Sequence, residues 1–61
     1  MKTLHDGTRF ELYQTNSTYT GSRPYVIFDK QLQVKLVGFW NYRSAYANFK
    51  RLEKDPSYRG Y

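Results

Sequence analysis

A change of hydrophobic period in the second half of the chain constrains its fold more than any other feature. Residues 32–40, LQVKLVGFW, alternate in steps of two and are rich in branched and aromatic side chains, which predicts a β-strand. Beyond residue 41 the apolar side chains recur at the i, i+3, i+4, i+7 spacing of an amphipathic helix. They are Tyr42, Ala45, Tyr46, Phe49 and Leu52. The two periods together predict a strand that runs directly into a helix.

Single residues mark the limits of this strand and helix. Gly38 within the strand predicts a bulge or a close approach by another stretch of backbone. Asn41 is expected to cap the helix, with Ser44 as the alternative, because short polar side chains accept hydrogen bonds from the first turn. Pro56 should end the helix at or before Asp55, since the residue before a proline avoids helical geometry.

Two shorter strands precede this unit. Residues 8–14, TRFELYQ, alternate between apolar and polar, and residues 25–28, YVIF, are apolar throughout. Residues 15–24 have the composition of a loop, and residues 29–31 suit a hairpin turn. The order β-β-β-α predicts an α+β fold, in which one C-terminal helix packs on one face of a three-stranded antiparallel sheet.

One helix can cover only one face of such a sheet. The side toward the helix is expected to hold Phe10, Leu12, Tyr25 or Ile27, Leu32, Val34, Leu36 and Trp40. The uncovered side is expected to hold Arg9, Tyr13, Phe28 or Val26, Lys35, Val37 and Phe39. The second set is too apolar for idle solvent surface on a small protein, so we expect a partner to cover it.

Length and charge limit the function. The 61 residues are expected to form one domain, with flexible ends at residues 1–7 and 56–61. The chain has no cysteine and a single histidine, His5, which disfavours disulfides and a zinc site, and no cofactor is expected. The net charge of +5 falls entirely within residues 23–61. This asymmetry favours a polyanionic partner, nucleic acid first.

Neither catalysis nor membrane insertion is expected. His5, Asp6 and Glu11 are the only acid–base grouping, and they lie in or near the segment expected to be flexible. No apolar run is long enough for a signal peptide or a membrane span, which favours a cytoplasmic protein.

Gly38, Trp40 and Ala45 also stand at the spacing of a known pattern. The AP2-type DNA-binding domain, and the related arm-binding N-terminal domain of some phage and transposon integrases, end their third strand with a glycine. An aromatic residue follows two positions later, and a buried helix alanine follows seven positions after the glycine. Residues 23–54 resemble this family, with Phe49 in the place of its next buried helix residue. The resemblance implies a sheet that lies in the DNA major groove, although strand YVIF lacks the arginines of family sheets.

The candidate contact residues come from two sources. The resemblance implies contacts through Arg9, Arg23, Lys30, Gln33 and Lys35. The residues themselves suggest that Tyr13 and Phe39 stack on bases, and that Arg43 and Lys50 contact phosphates. We therefore predict a small basic nucleic-acid-binding protein, DNA before RNA, that uses the uncovered sheet face. The alternative is a protein-interaction module or homodimeric regulator or inhibitor of phage or mobile-element origin, because aromatic residues and arginine are also enriched at protein interfaces.

Overall fold

The computed structural model describes residues 2–15 and 23–61, which form four β-strands followed by one α-helix. The elements are β1 (Lys2–Asp6), β2 (Phe10–Gln14), β3 (Tyr25–Asp29), β4 (Val34–Phe39) and α1 (Tyr42–Lys54). The strands form one sheet in the order β1-β2-β3-β4, and each neighbouring pair is antiparallel. The predicted α+β class, with an antiparallel sheet and a C-terminal helix, is confirmed. The predicted number of three strands is wrong, because the N-terminal segment supplies a fourth.

Strand β1 occupies residues that were expected to be a flexible lead-in. Its sequence KTLHD contains one aliphatic residue, so its local pattern is too weak to indicate a strand. Pairing with β2 and packing of His5 hold it in place. The His5 ring centroid lies 4.7 Å from that of Tyr46 and 5.8 Å from that of Phe49, so the imidazole packs against the aromatic rings of the helix.

A four-residue turn, residues 30–33, connects β3 to β4. The Asp29 carboxylate accepts hydrogen bonds from the backbone N–H groups of Gln31 (3.0 Å) and Leu32 (3.2 Å), which fixes the start of the turn. Gln33 closes it with a φ of 60°, in the left-handed region. β4 therefore begins at Val34, two residues later than the sequence predicted. Of the predicted loop 15–24, residues 16–22 lie outside the described part of the chain.

A β-bulge at Leu36 reverses the phase of β4. Ile27 faces Val37, but the next residue of β3, Phe28, faces Lys35, which leaves Leu36 as the extra residue. The side chains after the bulge therefore change faces.

The expected assignment of β4 and its flanks is wrong on both sides of the bulge. Val37 and Phe39 pack against the core rather than on the uncovered side. Leu32, Val34 and Trp40, all expected in the core, are 57%, 45% and 58% exposed. Of the residues predicted in β4 and its flanks to face the helix, only Leu36 packs against the core.

The core lies between the sheet and the helix. It consists of Phe10, Leu12, Ile27, Ala45, Phe49 and Leu52. Partly buried side chains surround it: Leu4, Tyr25, Leu36, Val37, Phe39, Tyr46 and Tyr58. The alternation of β2 correctly placed Phe10 and Leu12 on this side, and of the two alternatives in β3, Tyr25 and Ile27, both pack on it.

The helix has the limits that its sequence predicts. The Asn41 side chain accepts a hydrogen bond from the backbone N–H of Ser44 (2.9 Å), which confirms Asn41 as the N-cap. The helix ends at Lys54, and Asp55 is its C-cap, immediately before Pro56. Among the described residues, no helix is long and apolar enough to cross a membrane.

The segment after the helix is anchored at one point. The Asp55 carboxylate accepts hydrogen bonds from the backbone N–H (3.1 Å) and hydroxyl (2.7 Å) of Ser57. This turn brings Tyr58 against the core, and the Arg51 guanidinium lies 5.5 Å from the centroid of the Tyr58 ring. Flexibility of residues 56–61 stays a prediction.

Candidate nucleic-acid interface

The predicted contact residue Arg9 is committed to a buried carboxylate. Asp29, only 1% exposed, accepts hydrogen bonds from Arg9 Nη2 (3.1 Å) and Nε (3.4 Å). These bonds hold the pKa of Asp29 below its usual range, against the opposing effect of burial, and the turn N–H groups of Leu32 and Gln31 act in the same direction. The Arg9 guanidinium also lies 5.3 Å from the centroid of the Phe10 ring. Arg9 therefore closes one end of the sheet, with its guanidinium engaged by Asp29 and its side chain 30% exposed.

Lys30 and Gln33, two further predicted contacts, are engaged at the same end of the molecule. Lys30 forms an ion pair with Asp6 and donates a hydrogen bond to the carbonyl oxygen of Gly7 (2.7 Å). The Gln33 side chain donates to the carbonyl oxygen of Lys30 (2.8 Å). Both side chains thus stabilise the turns at this end of the sheet.

The other three carboxylates are bound to uncharged groups. Glu53 of the helix accepts a hydrogen bond from the backbone N–H of Thr8 (2.6 Å) in the β1–β2 turn. Glu11 accepts one from the hydroxyl of Thr3 (2.5 Å), and Asp55 holds the turn after the helix. Within residues 2–15 and 23–61, each of the five Asp and Glu carboxylates has an internal partner, and two of the five pair with a basic side chain.

The outward side of the helix collects half of the cations that remain. In the described part of the chain, eight basic side chains have no carboxylate partner: Lys2, Arg23, Lys35, Arg43, Lys50, Arg51, Lys54 and Arg59. Four of these are exposed on α1, and we name them the basic helix face: Arg43, Lys50, Arg51 and Lys54. The helix buries Ala45, Phe49 and Leu52, so at about 100° per residue the basic helix face lies on the opposite side.

The geometry of the basic helix face suits an extended polyanion. From Arg43 to Lys54 it spans roughly 16 Å at about 1.5 Å per residue. The carboxylate of Glu53, the one acidic residue of α1, is hydrogen-bonded to the β1–β2 turn and forms no ion pair with these cations. The Lys50 ammonium lies 5.5 Å from the centroid of the Tyr46 ring, which supports the side chain while leaving it exposed. The helical spacing of the sequence already places these four cations in one stripe, of which only Arg43 and Lys50 were chosen as candidate contacts.

The two aromatic side chains predicted to stack on bases do not present their rings to solvent. Tyr13 is 4% exposed, and its burial, together with the nearby charge of Glu11, raises the pKa of its hydroxyl. Phe39 packs against the core on the helix side. Lys35 does lie exposed on the uncovered face, paired in register with Phe28.

An exposed aromatic lies elsewhere, at the junction of β4 and α1. Trp40 is 58% exposed, and the Arg23 guanidinium carbon lies 5.8 Å from the centroid of its ring. Arg23 also donates from Nη1 to the carbonyl oxygen of Gly38 (3.0 Å). We name Trp40 and Arg23 the Trp40 patch. Sequence reasoning missed it because strict alternation assigned Trp40 to the core.

Gly38 has a specific role beside this patch. A Cβ at this position would lie 3.0 Å from the Cβ of Arg23, closer than side chains normally approach. The expected close approach is therefore made by a side chain, and the expected bulge lies two residues earlier, at Leu36.

The only acid–base grouping in the sequence is dispersed among separate contacts. His5 shares a hydrogen bond with the Tyr42 hydroxyl (2.5 Å), Asp6 pairs with Lys30, and Glu11 pairs with Thr3. No cluster of three or more histidine, cysteine or acidic side chains within residues 2–15 and 23–61 is placed to hold a metal ion.

Fold and surface together define a small α+β domain with a basic helix face and an exposed tryptophan at one end of it. Comparison with protein-family models, with curated proteins and with solved structures finds no match.

Proposed function

We propose that the protein binds nucleic acid, and that the basic helix face contacts the phosphates. One observation carries the proposal: in the described residues, four cations on the outward side of α1 form no ion pair with a carboxylate. Phosphate contacts from such side chains supply most of the sequence-independent affinity of nucleic-acid-binding proteins. DNA is the first candidate, from the resemblance at Gly38, Trp40 and Ala45, and a cytoplasmic location stays a prediction.

The helix suits phosphate binding better than the uncovered sheet face does. The sheet face offers Lys35 and Arg23 but also carries Glu11, and its predicted aromatic Tyr13 is buried. Within the described part of the chain, the four cations of the basic helix face form no ion pair, and Asp55 lies beside Arg51 and Lys54 only at the C-terminal end of the helix. Phosphate recognition along a helix also needs no base contacts, so it implies broad rather than sequence-specific binding.

The salt dependence of binding tests this proposal. If all four cations of the basic helix face neutralise phosphates, log K should fall against log salt with a slope of about −3.6 for duplex DNA or −2.8 for a single strand. Affinity would then drop roughly 50- to 150-fold between 50 and 200 mM salt. Fluorescence anisotropy with a labelled oligonucleotide measures both quantities. No binding at low salt to either form would refute the proposal.

A charge-matched pair of variants locates the interface. Arg43→Gln with Lys54→Gln removes two charges from the basic helix face and should make the slope shallower by about 1.4 to 1.8. Lys2→Gln with Lys35→Gln removes the same charge from the two edge strands and should change the slope little. If the edge-strand variant loses more affinity than the helix variant, the contact surface lies on the sheet.

A second candidate function rests on the exposed apolar residues at the β3–β4 turn. Leu32 and Val34 lie two positions apart and are 57% and 45% exposed. Neighbouring exposed apolar side chains are typical of sites that contact another protein. In this reading the chain is a protein-interaction module or a homodimer. Sedimentation of the wild type and of Leu32→Glu tests the homodimer: the wild type should be dimeric and the variant monomeric. A wild type that sediments as a monomer throughout the micromolar range removes that form of the proposal.

A further inference from the structure

We infer that the Trp40 patch is a stacking platform for an unpaired base, so that the ligand of this protein is single-stranded rather than duplex nucleic acid. The inference rests on the proposed function and specifies the class of its ligand. It uses contacts other than the phosphate contacts of the basic helix face, so each can be tested without the other.

The Trp40 ring faces solvent although it is apolar. The described residues contain a compact core that is complete without this ring, because Phe39 occupies the position against the helix. Tryptophan is the largest apolar side chain, and 58% of it faces water here. A flat ring exposed beside an arginine is the arrangement that proteins use to stack nucleobases, with the guanidinium adding a cation–π contribution.

The Trp40 patch is already ordered before a base binds. Arg23 is held at two points, by its hydrogen bond to the Gly38 carbonyl oxygen (3.0 Å) and by its position over the Trp40 ring. The absence of a side chain at Gly38 makes room for it. A platform whose cation is already in place loses less conformational entropy when a base binds.

The Trp40 patch lies next to the N-terminal end of α1. Trp40 lies two residues before the start of α1, and Arg43 is the first cation of the basic helix face. A strand whose phosphates follow the basic helix face toward its N-terminal end would therefore bring a nucleotide near Trp40. In a duplex the bases are already stacked on one another, so an external ring meets only sugar and phosphate. A single strand can turn a base onto the ring.

The tryptophan fluorescence of the protein supplies a direct test, since Trp40 is the only tryptophan of the chain. We expect single-stranded oligothymidylate to quench its emission at low salt, and a duplex of equal length to bind more weakly with little quenching. Trp40→Ala should bind the single strand about 5- to 150-fold more weakly, from the usual contribution of base–aromatic stacking. Trp40→Phe should retain part of this affinity because it keeps a ring.

Controls separate the contact from the fold. Far-UV circular dichroism should show Trp40→Ala to be folded, since the ring contributes little to the core. Tyr61→Ala removes another exposed aromatic side chain, from the C-terminal segment, and should bind as the wild type does. Gly38→Ala should displace Arg23 and weaken single-strand binding while leaving duplex binding unchanged.

The outcomes distinguish this inference from the proposed function. Stronger binding to the duplex, or wild-type affinity of Trp40→Ala for the single strand, overturns the inference and leaves the proposed function standing. Failure to bind either form overturns both.

Discussion

The contact between Gly7 and Glu53 offers a sharp test of how the fold is held together. A Cβ added to Gly7 would overlap the Glu53 carboxylate and would lie 3.0 Å from Cζ of Phe49. The carboxylate could move aside only by giving up its hydrogen bonds to the backbone N–H groups of Thr8 (2.6 Å) and Arg9 (3.3 Å). Gly7→Ala should therefore release the helix from the β1–β2 turn.

The size of the effect follows from those hydrogen bonds. A single hydrogen bond to a charged group contributes about 1.5–3 kcal/mol to stability. Of the two bonds to Glu53, the shorter one from the Thr8 N–H is expected to contribute most. Gly7→Ala should cost about that much, out of a total of about 3–9 kcal/mol for a domain of this length. The melting temperature should fall by about 6–24 °C.

A double-mutant cycle isolates the mechanism. Glu53→Ala alone should destabilise the protein by a similar amount, and Glu53→Gln by less, since its amide oxygen can still accept one hydrogen bond. In the Glu53→Ala background, Gly7→Ala should become neutral or stabilise by up to about 1 kcal/mol, because alanine restricts the unfolded chain. Urea unfolding followed by circular dichroism gives all four free energies.

One result would refute this reasoning. If Gly7→Ala costs the same with and without Glu53, the two residues are not coupled, and the clash with Phe49 or the turn backbone is the cause. A coupling of about 1.5–3 kcal/mol supports the role of the Glu53 carboxylate as a tie between α1 and the β1–β2 turn.

Two further predictions concern other polar contacts. Asn41→Ala should lower the free energy of unfolding by about 1 kcal/mol in urea, since it removes the acceptor for the Ser44 N–H, and Asn41→Asp should restore it. A free energy of unfolding of Asn41→Ala equal to that of the wild type would contradict the capping role. Because the pKa of Asp29 is lowered from 3.8, its stabilising contribution is complete above about pH 4 and is lost as pH falls through the folded-state value. Asp29→Asn should thus melt below the wild type at pH 7, and the difference should shrink below pH 4; a constant difference down to pH 2 would refute it.

The sequence was sufficient where structure is determined by local pattern. The period of α1 and the capping side chain of Asn41 act within a few residues, so the helix limits could be predicted. β2 alternates between apolar and polar residues and its faces followed from that pattern, whereas the apolar β3 left its faces open. β1 could not be predicted, because it depends on pairing with β2 and on a histidine ring that packs against the aromatic rings of the helix.

The candidate site was harder to predict because it depends on tertiary contacts. Charge counting indicated a basic second half but could not show that the Glu53 carboxylate is hydrogen-bonded to the β1–β2 turn and forms no ion pair with the basic helix face. Nor could it show that Arg9 and Lys30 are committed to Asp29 and Asp6. Ion pairs between residues 20 or more positions apart leave no trace in local sequence patterns.

The bulge at Leu36 connects the fold to the candidate site. Without the extra residue, Phe39 would lie on the uncovered face and Trp40 would continue the core side of β4. With it, the smaller Phe39 ring packs toward the helix and the larger tryptophan is left in solvent beside Arg23. Burying Trp40 instead would remove more apolar surface from water, so the observed arrangement gives up hydrophobic stabilisation that this small domain could use. A bulge that leaves the largest apolar side chain exposed at the end of a cationic helix is therefore better explained by a ligand for that ring than by the stability of the fold.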